Sequence, residues 1–94
     1  MIATGQPVAF PETSVARDFE LEVAVVVGKA GQSLTAPQAA DHIFGFMLMN
    51  DWSARDIQSA EMKVGLGPAK GKDFATTLGP WIVTVDELAE HLEG

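Results

Sequence analysis

Phe19, Leu21, Val23, Val25 and Val27 occupy every second position of one nine-residue stretch. That is the period at which a β-strand sends side chains to one face. The valine content and the closing Gly28 predict a strand over Phe19–Val27. The complementary positions, Glu20, Glu22, Ala24 and Val26, form its other face. A second apolar run, Ile43–Met49, has Gly45 inside it and is short for a helix, so it predicts a buried strand. Between the two lie a turn-rich connection, Gly28–Ser33, and a short predicted helix, Thr35–His42. Thr35 can cap that helix, Pro37 suits its first turn, and Gln38 stands where a capping box needs it.

Beyond the second strand, Ser53 and Asp56 have the spacing of another capping box, which predicts helical turns over Ser53–Ser59. Val64–Lys72 holds Gly65, Gly67, Pro68 and Gly71 and reads as a loop. Lys72–Thr77 and Trp81–Val85 read as short strands on either side of Gly79-Pro80, and Asp86 opens a last helix. Residues 1–17, with Gly5, Pro7 and Pro11, read as a loop with an extended piece at Pro7–Phe10. The order shows no regular β-α-β alternation, so the expected class is α+β and strand-rich. No repeat or low-complexity tract is visible. The first strand lacks an earlier partner and the last helix has barely begun, so residues 1–94 are expected to form one incomplete segment of a larger domain.

Composition narrows the functions. The chain has 94 residues, 47% of them hydrophobic, and a formal charge of −7. A net acidic surface disfavours nucleic acid and anionic membranes as partners. No apolar stretch is long enough to span a bilayer. There is no cysteine, which removes disulfides and thiolate metal sites and fits a reducing compartment. With no signal peptide evident, the expected location is cytoplasmic. Arg55, Lys63, Lys70 and Lys72 gather in one stretch, which on charge alone is most simply a solvated basic loop.

Glu20 and Glu22 share a strand face and repel each other. A buried like-charged pair calls for protonation or a cation. The competing explanation is a solvated strand face, which Ala24 and Val26 on the same side weaken. Asp51 follows the second apolar run, where strand gives way to helix, a common place for functional groups. It could join the glutamates as a ligand or serve as a helix cap, although Ser53 is also available for capping. Three carboxylates suit a hard cation, Mg²⁺, Mn²⁺ or Ca²⁺, better than zinc. Arg55 and Gln58 lie three apart on the predicted turn and share a face. They could meet a substrate carboxylate or carbonyl, or Arg55 could pair with Asp51 or Asp56. Lys72, beside a cation, could stabilise a developing oxyanion or enolate; alone it would be solvated. Thr76 lies four residues on, expected on the same strand face. His42 and His91 have no nucleophile in triad-like surroundings and read as structural and exposed, respectively.

These blocks together resemble the fumarylacetoacetate hydrolase family. They are Asp18-Phe19-Glu20-Leu21-Glu22-Val23, Met49-Asn50-Asp51-Trp52-Ser53-Ala54-Arg55-Asp56-Ile57-Gln58, Leu66-Gly67-Pro68, Gly71-Lys72-Asp73-Phe74-Ala75-Thr76-Thr77 and Gly79-Pro80-Trp81-Ile82-Val83. The match spans Asp18–Leu88 in the family's order. The resemblance implies a partial mixed β-sandwich or roll and, for the full enzyme, a homodimer. It implies Mg²⁺, Mn²⁺ or Ca²⁺ on Glu20, Glu22 and Asp51, Lys72 as a catalytic group, and Arg55, Gln58 and Thr76 facing a small oxo-acid substrate. The implied reaction is hydrolysis of a carbon–carbon bond in a 1,3-diketo acid, of the fumarylacetoacetate or acylpyruvate type, through a metal-bound enolate. Oxaloacetate decarboxylase, isomerase and lyase activities on the same scaffold are alternatives, as is a non-catalytic remnant. Two departures bear on substrate: Met62 stands where eukaryotic-type members carry a tyrosine, and the stretch from there to Leu66 is one residue longer. The family's general base, a histidine with an acidic partner, is expected outside these residues, so this segment alone is expected to turn over little or nothing.

Overall fold

The structure, a computed structural model, describes residues 1–91. The elements in order are β1 (Ile2–Ala3), β2 (Arg17–Asp18), β3 (Leu21–Val27), α1 (Ala36–Ala40), β4 (Ile43–Asp51), β5 (Ser53–Ala54), α2 (Arg55–Met62), β6 (Thr76–Leu78), β7 (Val83–Thr84) and α3 (Val85–Leu88). The class is α+β and strand-rich. A mixed, open sheet runs in the order β1-β6-β4-β3, with β7 also on β4. β1 lies parallel to β6, while β4 is antiparallel to β3, β6 and β7. β2 and β5 form a separate antiparallel pair.

Several elements depart from the periodicity. Ile2–Ala3, expected as loop, is a strand because β6 offers it a parallel edge. Pro7–Phe10, expected as an extended piece, joins no sheet. β3 starts at Leu21, and β4 continues two residues past Met49, half-buried along most of its length. Ser53 does not cap a helix. It is fully buried in β5, its hydroxyl donates to the Asp51 carbonyl at 3.0 Å, and α2 begins at Arg55 with Ala54 as N-cap. The Lys72–Thr77 strand shrinks to β6 from Thr76, because Lys72 and Asp73 turn back to donate their N–H groups to the Ala69 carbonyl at 3.0 and 2.9 Å. Trp81 and Ile82 stay outside β7. The last helix starts at Val85, one residue before Asp86. The capping box of Thr35 and Gln38 forms as expected.

The regular alternation of β3 is inverted relative to solvent. Leu21, Val23 and Val25 are 73, 62 and 49% exposed, and the glutamate face is the half-buried one. Opposite Val23 on β4, Leu48 is also exposed. The radius of gyration, 16.5 Å, exceeds the about 12 Å of a self-contained domain of this length. The sheet thus presents one open apolar face. No helix among the described residues is long and apolar enough to cross a membrane.

Candidate metal and substrate site

Sheet register assembles the carboxylates. β3 and β4 pair Leu21 with Asn50 and Glu22 with Met49, and the Asp51 N–H donates to the Glu20 carbonyl at 3.0 Å. Glu20 therefore stands directly across from Asp51, with Glu22 diagonal to it, all on one side of the sheet. On the far side of β4, Asp51 pairs with Thr76 of β6. One row across three chain segments holds Glu20, Asp51 and Thr76. One oxygen from each of Glu20, Glu22 and Asp51 lies within 4.8 Å of the others.

Cations converge on the same oxygens. The Lys72 ammonium donates to Glu20 Oε2 at 2.7 Å and lies 3.3 Å from Asp51 Oδ2. Its side chain is only 14% exposed, which excludes the solvated-lysine alternative. Lys72 reaches the cluster from a turn rather than from the strand that carries Thr76. Arg55 Nη1 donates to Glu20 Oε1 at 2.8 Å and to Gln58 Oε1 at 2.9 Å. Arg55 and Gln58 do share a face. The structural partners of Arg55 are Glu20 and Asp18, whose Oδ2 accepts from Nε at 2.8 Å, rather than Asp51 or Asp56. The Lys72 ammonium, then the Arg55 guanidinium, holds the Glu20 carboxyl below the usual range. Arg55, then the Phe19 N–H, does the same for Asp18.

The donor set fits a divalent cation. Glu20, Glu22, Asp51 and Asp18 place four carboxylates against the charges of Arg55 and Lys72, a surplus of two negative charges. Hard, oxygen-only ligation of this kind suits Mg²⁺, Mn²⁺ or Ca²⁺.

The block Asn50–Asp56 ties the site together. Asn50 Oδ1 accepts the Glu20 N–H at 3.1 Å. Trp52 Nε1 donates to Thr77 Oγ1 at 2.8 Å, and its ring meets Phe10 edge-on. The Ala54 N–H donates to the Gly71 carbonyl and the Arg55 N–H to that of Ala16. Asp56 accepts from the Ser14 hydroxyl at 2.7 Å and the Val15 N–H at 2.9 Å. Those donors, the backbone N–H first, lower its carboxyl pKa. Sequence reading assigned no role to Asp18 or Asn50, and it read Asp56 as a capping-box residue or a partner of Arg55, whereas Asp56 binds Ser14 and Val15. Asp18 had a usable signal, since it stands two residues before Glu20 in the same alternation. The partners that Asn50 and Asp56 actually take had none, because they are 30 and 42 residues away.

The family model described as "Fumarylacetoacetate (FAA) hydrolase C-terminal" matches residues 1–93. The chain belongs to the fumarylacetoacetate hydrolase family. The match reaches beyond Asp18–Leu88 at both ends. Fumarylacetoacetase of Arabidopsis thaliana is 61% identical over 74 residues, 76% of this chain and 17% of that protein. The chain thus spans about a sixth of the length of the curated family members it matches. Among solved structures, 5-carboxymethyl-2-hydroxymuconate delta-isomerase of Mycobacterium smegmatis is 37% identical with a TM-score of 0.72, over 88% of this chain and 32% of its own. Fumarylpyruvate hydrolase of Pseudomonas aeruginosa, in complex with Mn²⁺ and pyruvate, shares the fold at 24% identity and a TM-score of 0.75, over 93% of this chain and 39% of its own.

Proposed function

We propose that this chain carries the cation site of a metal-dependent hydrolase that cleaves a carbon–carbon bond in a 1,3-diketo acid of the fumarylacetoacetate or acylpyruvate type. The observation that carries the proposal is the convergence of Glu20, Glu22 and Asp51, with the Lys72 ammonium on two of the three. The three carboxylates hold the cation, which when bound polarises the keto-enol oxygens of the substrate. Lys72 places a fixed positive charge beside those oxygens, where negative charge develops as the bond breaks. Arg55, its Nε and Nη1 occupied by Asp18, Glu20 and Gln58, is held rigid to meet the substrate carboxylate. Thr76 borders Asp51 from the neighbouring strand and offers a hydroxyl to the substrate.

Neither histidine serves as the general base from within this chain. His42 Nδ1 is engaged with the Lys29 carbonyl at 2.8 Å. It precedes the first residue of β4, whereas Asp51 is the last, roughly 30 Å along an extended strand. His91 is exposed and follows α3, its N–H donating to the Leu88 carbonyl at 2.8 Å. In this reading the base comes from residues outside this chain, and 1–94 alone turns over little or nothing.

An isomerase acting on a related oxo acid is the second reading, favoured by the 37% identity to the muconate isomerase. Mn²⁺ titration followed by electron paramagnetic resonance tests the site: wild type binds one ion, and Glu22→Ala loses at least tenfold in affinity. Equal binding by the two would reject the cation site. Product analysis of the complete enzyme with fumarylacetoacetate, an acylpyruvate and 5-carboxymethyl-2-hydroxymuconate then separates cleavage from isomerisation.

A further inference from the structure

Glu61 has no part in the cluster, yet three backbone N–H groups donate to its carboxylate. Oε2 accepts the Ala69 N–H at 2.7 Å and the Gly71 N–H at 3.2 Å, and Oε1 accepts the Lys70 N–H at 2.6 Å. These three donors, Ala69 first, hold the carboxyl below its usual range, so it stays charged at neutral pH. An acidic side chain in the last turn of α2 faces the negative end of the helix dipole. That position disfavours it for helix stability alone and points to the loop as its purpose.

The three N–H groups belong to the turn that delivers Lys72. Gly71 is pinned from its other side by the Ala54 N–H on its carbonyl at 2.9 Å. It lies so close to α2 that a Cβ there would be 2.8 Å from Gln58 N. Lys72 and Asp73 then fold back onto Ala69. From the residue next to this anchored backbone, the Lys72 side chain reaches Glu20 at 2.7 Å and Asp51 at 3.3 Å. α2 thus carries the Arg55–Gln58 pair in its first turn and the anchor of the lysine turn in its last.

We propose that Glu61 is a positioning residue: by fixing the 69–71 turn it holds the Lys72 ammonium against Glu20 and Asp51 and thereby sets the cation affinity of the carboxylate cluster. The inference rests on the reading of that cluster as a metal site. A cation entering the cluster meets an ammonium already bonded to two of its three ligands, so a firmly seated Lys72 lowers affinity and a loosened one raises it.

Four proteins test this: wild type, Glu61→Gln, Lys72→Met and the double variant, each titrated with Mn²⁺ alone and each checked for folding by circular dichroism. Lys72→Met binds about tenfold tighter, because the repulsion of a monocation a few ångström from a dication is removed. Glu61→Gln tightens binding about threefold in the wild-type background and leaves it unchanged in the Lys72→Met background, since it acts only through the lysine. An equal change in both backgrounds assigns Glu61 a merely structural role and overturns the proposal; so does no change in either. Should Glu61→Gln fail to fold, Glu61→Asp, which keeps the charge and shortens the reach, enters the same cycle. If wild type and Glu22→Ala bind Mn²⁺ equally, the metal reading itself has failed and this inference goes with it.

Discussion

Replacing Gly71 by alanine puts a methyl group where two backbones already touch. The added Cβ would stand 2.8 Å from Gln58 N, 2.9 Å from its Cα and 3.0 Å from its Cβ. Ordinary van der Waals contact begins near 3.4 Å, so the turn must retreat by roughly half an ångström from a helix whose backbone cannot rotate aside. Overpacking of this kind costs about 1–3 kcal/mol. The alanine recovers up to about 1 kcal/mol by restricting the unfolded chain. At the middle of both ranges the net destabilisation is about 1.5 kcal/mol, which at about 4–8 °C per kcal/mol for a chain of this size lowers Tm by about 6–12 °C. The retreat also strains the bond from the Ala54 N–H to the Gly71 carbonyl and moves the residue before Lys72. Thermal unfolding followed by circular dichroism measures the first effect, and Mn²⁺ titration the second, as tighter binding. A Tm equal to or above that of wild type would refute the seating of this turn on α2.

Two further outcomes follow from the same contacts. Trp52→Phe removes the Nε1 donor to Thr77 Oγ1 while keeping the ring against Phe10, and costs about 1 kcal/mol; in a cycle with Thr77→Val the two losses are sub-additive, and full additivity in thermal melts would deny the shared bond. On acidification, Asp56 and Glu61 have folded-state pKa values below their ordinary 3.8 and 4.5, so the folded protein binds fewer protons than the unfolded one and stability falls as pH drops through and below those values. The melting temperature declines below about pH 4.5 and is insensitive to these groups above it, and Asp56→Asn flattens the decline; an unchanged slope in that variant would contradict the assignment.

Local stereochemistry made part of this protein readable without coordinates. Period-2 alternation put Glu20 and Glu22 on one side of a strand, and the glycines of 64–72 announced a loop: Gly65 and Gly67 adopt φ of +71° and +107°, which L side chains rarely take. The Thr35–Gln38 box formed because both of its groups lie within one turn. Ser53 misled for the complementary reason. Its hydroxyl had a local alternative, the Asp51 carbonyl, and burial in β5 selected it. Lys72 similarly looked like a strand residue until long-range bonds from Glu61 and Ala54 curled the turn around it.

The acidic triad was legible as a set of residue types and as a family motif, because ligand chemistry and strand periodicity are both written within a few residues. Its convergence was not, because that depends on the pairing of β3 with β4, which brings together positions 31 apart such as Glu20 and Asp51. A slip of one residue would turn one side chain of the pair to the opposite face. Which face of β3 meets solvent was equally out of reach. Alternation divides a strand into two faces, but burial is a property of whatever lies over each, and here the valines are the open side. Periodicity is a short-range property of the chain, whereas register, burial and the docking of the lysine turn arise between segments far apart in it.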